Sequence, residues 1–588
     1  MIFNKIQHSK FNIQNSLLMS LLDVRNLEVI FEGTPRPTIA VAGISFTIGR
    51  GERLGLVGES GSGKSITALS IMRLIDFEPG EKTIRGSVIY QENDQLAIDL
   101  MAIEQAAVRP FRGKKMAMIF QEPMQALNPV LRCGKQVEEA VCLHQGISGP
   151  EARKAVLDLL VQVQLTDPER IYQSYPFQLS GGQKQRILIA IALAGKPELL
   201  IADEPTTALD VHVQKGILEL LESLRQQYNM SLLFISHDLG VIASICDRVL
   251  VMKDGHIVES GLVKTIFESP QHPYTRGLLA CRPRLGTKPN RLPELKDFAP
   301  DKTGHTPELK SVLDRIGAAP AYAIPDQQPI LEVEGLAVYF SGPRIGLFSR
   351  KRPLIKAVDE VNFQIFPGET IGLVGASGSG KTTLGRSLVG LLPLQKGRIR
   401  FRGKDISGLE KSEWQEIRRD LQMVFQDPYA SLNPRKSIGE AIREPLEVHG
   451  IIKDRKAQQG RVVELLEWVG LEAGHYHRYP HAFSGGQRQR ICIARALALE
   501  PDFLICDESV SALDVSIQAQ VLNLLKDLQE RLGFSCVFIS HDLAVVNFIA
   551  DRVFVMDAGR IVEQGFATEI YRHPKSGITK RLIEASLF

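Results

Sequence analysis

The stretch Gly58–Ser65, GESGSGKS, recurs as Gly375–Thr382, GASGSGKT. Outward from that pair, FQEPMQALNP (Phe120–Pro129) recurs as FQDPYASLNP (Phe425–Pro434), and LSGGQKQRI (Leu179–Ile187) as FSGGQRQRI (Phe483–Ile491). LLIADEPTTALD (Leu199–Asp210) recurs as FLICDESVSALD (Phe503–Asp514), and FISHDLGV (Phe234–Val241) as FISHDLAV (Phe538–Val545). Lys64 to Lys381 is an offset of 317, and Gln121 to Gln426 one of 305; Gln183 to Gln487, Asp203 to Asp507 and His237 to His541 are each 304. The chain is therefore one unit written twice. Nearly all the length difference lies between the lysine and the glutamine, 57 residues in the first copy and 45 in the second, which predicts a surface insertion near residues 85–110. The copies start near Leu22 and Leu331, where LLDVRNLEVIF matches LEVEGLAVYF. The expected boundaries are an extension over 1–19, a first copy over 20–262, a connecting segment over 263–328, a second copy over 329–565 and a tail over 566–588. The connecting segment is rich in Pro, Lys and Gly up to about Gln328 and reads as a surface extension and linker. Met19 stands directly before SLLDVRNL, which reads as the first strand, so Met19 is a candidate natural start beside Met1.

Composition narrows the class. The 588 residues are 44% hydrophobic and 23% charged, enough to bury large cores, so disorder is excluded for most of the chain. Lys and Arg number 70 against 67 Asp and Glu, and a net charge of +3 gives no basic field; nucleic-acid binding is not expected. The seven cysteines are scattered and lack CxxC pairs, as reduced thiols would be, so neither a zinc site nor an iron–sulfur cluster is expected. No run approaches the roughly 20 apolar residues of a membrane span. MIFNKIQHSKFNIQNSLLMSLL lacks the apolar centre and cleavage site of a secretion signal.

Each glycine-rich stretch follows an apolar strand, RLGLVG or TIGLVG, and opens a helix, the context of a phosphate-binding P-loop. Glycines let successive backbone N–H groups turn toward phosphate oxygens, and the helix N-terminus adds its dipole. Lys64 and Lys381 are placed to reach the β- and γ-phosphates, and the hydroxyls of Ser65 and Thr382 suit Mg²⁺. LLIAD and FLICD read as buried strands ending in an acid. Asp203 and Asp507 would hold Mg²⁺, directly or through water, and Glu204 and Glu508 would polarise the attacking water as general bases. His237 and His541 follow apolar strands at matched positions and read as γ-phosphate sensors. Gln121 and Gln426 follow strands and precede proline-bounded loops; each can reach Mg²⁺ and the water while its loop touches a partner.

LSGGQ, together with the P-loop, the glutamine loop, the strand-end acids and the histidine in this order, resembles the ATP-binding cassette (ABC) ATPases, twice over and across about 90% of the chain. The resemblance implies an α/β fold of two tandem P-loop nucleotide-binding domains, each with a RecA-like core, an antiparallel β subdomain and a helical subdomain. It also implies that the two halves pair head-to-tail as a pseudo-dimer around two ATP molecules. Gly58, Ser60, Gly61, Gly63, Lys64 and Ser65 would cradle one nucleotide, and Gly375, Ser377, Gly378, Gly380, Lys381 and Thr382 the other. Ser180, Gly182 and Gln183 would face the γ-phosphate held by Lys381; Ser484, Gly486 and Gln487 would face that held by Lys64. Phe31 and Phe340 align with the adenine-stacking aromatic of the family and are equally compatible with core positions in edge strands. Asp210 and Asp514 match the loop that couples the two sites. Phe483 in place of Leu and Ser509 in place of Pro are the departures, and neither removes a ligand, so two hydrolytic sites are expected with ATP and Mg²⁺ as cofactors.

Among ABC proteins, HPYTRGLLACRP (His272–Pro283) and the FQxP…LNP elements resemble the ATPases of oligopeptide, dipeptide and nickel importers. Some of those carry a cysteine cluster after HPYT; here only Cys281 is present, and no cluster is carried over. Fusion of both cassettes in one chain resembles the glutathione-importer and microcin/peptide-importer ATPases. The implied partners are two transmembrane permease subunits and an extracytoplasmic substrate-binding protein, with the chain peripheral on the cytoplasmic face of the inner membrane. The competing class is a two-cassette ATPase acting on ribosomes (ABC-F-like), but the prolines of the connecting segment fit poorly with the long helix that class requires. The basic run SRKRP (Ser349–Pro353) reads as a solvated loop, with contact to anionic lipid as the weaker alternative.

Overall fold

The computed structural model describes residues 20–32, 37–78, 80–92, 96–207, 209–300, 306–320, 322–342, 354–511 and 513–586. The extension over 1–19 and the SRKRP run lie outside them. The chain divides into two compact units, one built from residues up to Leu209 and Val213–Leu279, the other from Asp210–His212 and Ala280–Leu587.

Each unit contains two sheets. In the first, β1 (Ser20–Phe31), β2 (Thr38–Gly49), β4 (Lys82–Gln91) and β5 (Ala97–Asp99) form an antiparallel sheet of order β2-β1-β4-β5. The second sheet has the order β10-β9-β3-β8-β7-β6, from β3 (Arg53–Val57), β6 (Met116–Ile119), β7 (Leu199–Asp203), β8 (Ser231–Ser236), β9 (Arg248–Lys253) and β10 (His256–Leu262). All its pairings are parallel except β9 with β10. Every residue of β7 and β8 is buried, which is why these strands read as continuous apolar runs and do not alternate.

The second unit repeats the design. β11 (Leu331–Ser341), β12 (Leu354–Ile365), β14 (Lys396–Phe401) and β15 (Lys404–Asp405) form the antiparallel sheet. β13 (Thr370–Val374), β16 (Leu421–Val424), β17 (Phe503–Asp507), β18 (Ser535–Ile539), β19 (Arg552–Asp557) and β20 (Arg560–Phe566) form the other, in the order β16-β17-β18-β13-β19-β20. In both units an all-helical segment, Cys133–Gln173 or Ile438–His477, separates the glutamine loop from the helix that opens at SGGQ.

Three expectations are corrected. The insertion in the first copy is not confined to loops: β4 has ten residues where β14 has six. Strands β1 and β11 are not edges; each lies between two neighbours in its sheet. The connecting segment, expected as a surface extension and linker, is docked over part of its length. After Arg284 it lies along the second unit, held by side chains of the helices Val515–Leu532 and Leu543–Ile549. Asn523 accepts from the Leu292 N–H at 2.9 Å and donates to the Leu292 carbonyl and the Glu294 carboxylate, both at 3.0 Å. Lys526 donates to the Asn290 carbonyl at 2.8 Å, and Asn547 to the Thr287 carbonyl at 3.0 Å. Further on, Phe298 and Val312 bury a small core of their own. At an offset of 304 the first copy has Glu219, Glu222 and Ala243 at these three positions. Only the second copy carries side chains that accept this strap.

The repeat also runs past the expected boundaries at 262 and 565. The helices Pro273–Cys281 and Gly577–Ser586 occupy matching places. Glu259 accepts from the backbone N–H groups of Gln271 and His272 at 2.7 and 3.1 Å, and Glu563 accepts from Lys575 and Ser576, both at 2.9 Å. Each carboxylate thereby satisfies donors that a helix start leaves open.

Removing the amide at position 523 leaves the buried N–H and C=O of Leu292 without those partners, a cost of about 1–3 kcal/mol. Asn523→Leu, which keeps the number and branching of the side-chain heavy atoms, is expected to loosen the strap and speed trypsin cleavage after Arg284 and Arg291. An unchanged cleavage rate would contradict the docking described here.

Candidate functional site

In a parallel sheet the loops that leave the C-terminal strand ends gather along one edge, where open α/β sheets place their ligands. The loop after β3 runs into the helix Lys64–Ile71, that after β6 carries Gln121, that after β7 carries Glu204, and that after β8 carries His237. Because β3, β8, β7 and β6 are successive neighbours, these four side chains converge.

The glycine loop is as tight as its sequence requires. Gly63 sits at φ 100°, and an added Cβ would lie 2.2 Å from the Ala40 carbonyl oxygen; Gly380 sits at φ 104°, with the Ala357 oxygen 2.0 Å from the same point. No other residue fits there. Inside the loop, Lys64 Nζ donates to the carbonyls of Gly58 at 2.8 Å and Glu59 at 2.9 Å. Lys381 Nζ does the same to Gly375 at 2.8 Å and Ala376 at 3.0 Å. Both lysines are buried, and burial lowers the pKa of Lys381.

Glu204 is the hub of the first site. Its Oε2 accepts from Gln121 Nε2 at 3.1 Å and from Thr207 Oγ1 at 2.9 Å, and lies 3.1 Å from His237 Nδ1; Lys64 Nζ is 3.9 Å from Oε1. Burial alone would raise its pKa, but the bond with His237 and the charges of His237 and Lys64 outweigh it and bring the carboxyl down to about 2. An ionised carboxylate only accepts, so the proton in the contact with His237 sits on Nδ1. Beside it, Asp203 is pushed up to about 6, chiefly by burial. Ser65 Oγ donates to Asp203 Oδ1 at 3.1 Å.

The second site matches in outline. Gln426 Nε2 donates to Glu508 Oε2 at 2.7 Å, Thr382 Oγ1 to Asp507 Oδ1 at 3.0 Å, and His541 Nδ1 is 3.8 Å from Glu508 Oε1. Proximity to His541 lowers the Glu508 carboxyl, and the His541 imidazole is raised against its burial by that same glutamate. Asp507 is raised by burial. One difference was missed by the sequence reading: Ser511, matching Thr207, turns its hydroxyl to the Glu508 backbone carbonyl at 3.0 Å and not to the carboxylate.

The backbone adds a feature that no motif announces. Glu204 and Glu508 both sit at φ 46°, in the left-handed region. Their N–H groups are tied to Ile235 and Ile539, each at 3.0 Å. Such a conformation costs a β-carbon residue about 1–2 kcal/mol and is held only where surrounding structure enforces it, as at functional sites.

The remaining expected residues are distributed as follows. Ser60, Gly61, Ser377 and Gly378 lie in the two glycine loops. Ser180 and Ser484 cap the helices Gly181–Leu193 and Gly485–Leu497, each accepting from the N–H of Gln183 or Gln487, while those glutamine side chains accept in return from the serine N–H. Gly182 and Gly486 are the second residues of these helices. Asp210 precedes the helix Val211–Tyr228, and Asp514 is the N-cap of Val515–Leu532. Phe31 is the last residue of β1 to pair with β2, and Phe340 pairs with Ile355 of β12 one residue before the pairing ends at Ser341; Phe31 packs partly against the core, while Phe340 is 41% exposed. A core role is thus excluded for Phe340.

The donor set fits a nucleotide with its magnesium ion. Asp507 Oδ2 is buried without a hydrogen-bond partner, as are Ser62 Oγ and Ser379 Oγ in the glycine loops. Hard oxygen donors, a hydroxyl and a carboxylate in each half, are of the type Mg²⁺ selects.

The ABC transporter family profile matches residues 41–207 and 358–511. The profile described as oligopeptide/dipeptide transporter, C-terminal region, matches residues 258–307. The chain is 46% identical over 570 residues to the glutathione import ATP-binding protein GsiA of Pectobacterium atrosepticum, covering 96% of this chain and 89% of that protein. It is 48% identical over 571 residues to the protein of the same name from Escherichia coli K12, with the same coverage of each chain. Among solved structures it is similar to an ATP-binding cassette dimer in a post-hydrolysis state bound to ADP and Pi, at 28% identity and a TM-score of 0.37, covering 40% of this chain and 98% of that chain.

Asp203 has a raised pKa in the folded protein, so its ionisation opposes folding and stability falls as pH rises from about 4 through about 6. Asp203→Asn stays neutral. In Mg²⁺-free, nucleotide-free buffer it is expected to be more stable than the parent by on the order of 1–3 kcal/mol above pH 7, with the gain vanishing near pH 4. Urea unfolding at the two pH values checks this; equal stability at pH 8 would contradict a buried, destabilising carboxylate.

Proposed function

This chain belongs to the ABC transporter ATP-binding family, and from that membership we propose that it is the ATP-hydrolysing subunit of an importer of glutathione or short peptides, working through separate membrane subunits. The observation that carries the reading is the convergence, in each half, of lysine, aspartate, glutamate, glutamine and histidine at one sheet edge, with the glutamate held in a left-handed backbone conformation. Among the described residues no helix is long and apolar enough to cross a membrane; the names of the relatives, ATP-binding proteins of glutathione import, support a peripheral subunit at the cytoplasmic face of the membrane. The match of residues 258–307 to the oligopeptide transporter region supports import over action on ribosomes.

Lys64 and Lys381 neutralise β/γ-phosphate charge from seats already formed. Ser65, Asp203 and Gln121, and in the second half Thr382, Asp507 and Gln426, would hold Mg²⁺; the ion supplies Lewis-acid charge to the phosphates when bound. Ionised Glu204 and Glu508 accept a proton from the water they orient, and His237 and His541 direct the γ-phosphate against it. Ser180, Gly182 and Gln183 would complete the site of Lys381, and Ser484, Gly486 and Gln487 that of Lys64; the serine hydroxyls, accepting as N-caps, keep their own proton to donate. Asp210 and Asp514 would link the two sites, and Phe31 and Phe340 would stack on adenine. ATP thereby favours a closed pseudo-dimer, and loss of the γ-phosphate contact reopens it. The loop after Gln121 exposes Met124, Val130 and Leu131, and the loop after Gln426 exposes Tyr429; each is an apolar surface suited to a helix of one of two permease subunits, which in turn would receive substrate from an extracytoplasmic binding protein.

Glu204→Gln and Glu508→Gln are each expected to leave part of the ATPase rate, and the pair together to lower it about 10²-fold or more with ATP binding retained. A double variant hydrolysing at the parent rate would refute the assignment of the base. Co-purification of the chain with two multi-spanning membrane proteins tests import; co-sedimentation with ribosomes would overturn it.

A further inference from the structure

The first P-loop is braced from outside by a residue that the second copy lacks. Tyr274 stands near the start of the helix Pro273–Cys281 and is buried to 6% exposure. Its hydroxyl accepts from the Glu59 N–H at 3.2 Å and lies 3.4 Å from Glu59 Oε2, to which it can donate. The Glu59 N–H and the Gly58 carbonyl belong to one peptide group. Lys64 Nζ donates to that carbonyl at 2.8 Å. A single amide is therefore held at both ends, by the tyrosine at its N–H and by the phosphate-binding lysine at its C=O. Such chained bonds polarise and reinforce one another in a low-dielectric interior.

The brace is itself anchored. Glu259 holds the N–H groups of Gln271 and His272, and the His272 ring accepts from the Tyr274 N–H at 3.2 Å. Lys253 Nζ lies 5.3 Å from the ring centroid, on the face of the tyrosine. In the second copy the same helix packs in the same place, capped by Glu563, but Ile578 stands where the first has Tyr274, and Ala376 where it has Glu59. Isoleucine offers no hydrogen-bonding group. The lysine seat is the same in both copies, with Lys381 Nζ 2.8 Å from the Gly375 carbonyl.

We propose that Tyr274 is a positioning residue for the first nucleotide site, fixing the Gly58–Glu59 peptide and through it the ammonium of Lys64, so that the two P-loops of this chain are unequal in preorganisation. The inference rests on the reading of both loops as ATP sites. A seat fixed before binding spares ordering when the phosphates arrive, and the gain is affinity. Tyr274→Phe keeps the ring, its packing and the contact with Lys253, and deletes only the hydroxyl. Loss of one such hydrogen bond corresponds to about a three- to ten-fold change in affinity.

The test is equilibrium binding of Mg²⁺ with a non-hydrolysable ATP analogue to the full-length chain. With Lys381→Ala disabling the second loop, Tyr274→Phe is expected to weaken binding about three- to ten-fold. With Lys64→Ala leaving only the second loop, the same substitution is expected to change nothing. A merely structural tyrosine would lower the unfolding midpoint and leave the folded chain's affinity unchanged, or weaken both loops alike; either result overturns the inference. Binding that persists in the Lys64→Ala, Lys381→Ala double variant would instead overturn the reading of the loops as ATP sites.

Discussion

A buried ammonium and a buried carboxylate share one small space at the end of a parallel sheet, and the rest of each half is arranged around keeping them there. Lys64 Nζ and Glu204 Oε1 are 3.9 Å apart, both nearly inaccessible. Taking two charges out of water costs several kcal/mol per ion unless every remaining donor and acceptor is met. Two loop carbonyls meet the lysine; Gln121, Thr207 and His237 meet the glutamate. Gly63 lets the loop pass close to the Ala40 carbonyl, and Glu204 holds its place beside the lysine in a left-handed backbone conformation. Asp203 is less fully compensated, and its raised pKa records that. Such a site is costly when empty and gains most from a ligand that brings phosphate charge and a divalent cation.

The second half repeats these elements and alters their support. Ser511 turns to the Glu508 backbone where Thr207 reaches the carboxylate, His541 stands farther from its glutamate than His237 does, and Ile578 stands in the tail helix where Tyr274 braces the first P-loop. The second half alone has Asn523, Lys526 and Asn547, the side chains that hold the connecting strap. The motif residues are shared by both copies, while the side chains around them differ with the segment each copy holds.

The sequence showed its motifs plainly because each is local: a glycine loop, an acid pair at a strand end and a histidine after a strand carry their spacing in a few consecutive residues. The repeat offsets then placed the same groups in both halves. What stayed hidden depends on contacts across hundreds of residues. Asn523 reaches Leu292, and Tyr274 reaches Glu59, and neither pair has any local signature. Proline and glycine in the connecting segment correctly marked irregular backbone, but irregular backbone can be docked as well as free. The left-handed glutamates were illegible for a different reason: glutamate has no preference for that region, so only the tertiary frame imposes it. The tail helix of the second copy has no local signature, because Ile578 stands where HPYT has its tyrosine and the glutamate that caps the helix lies in the preceding strand.

The central claim is that one chain holds two complete nucleotide sites. The most direct measurement is the number of radiolabelled ATP molecules retained per full-length chain with Mg²⁺ present and hydrolysis blocked by Glu204→Gln together with Glu508→Gln. The account predicts two. One per chain would mean that only one half binds nucleotide, and none would mean that the buried lysines serve the fold alone.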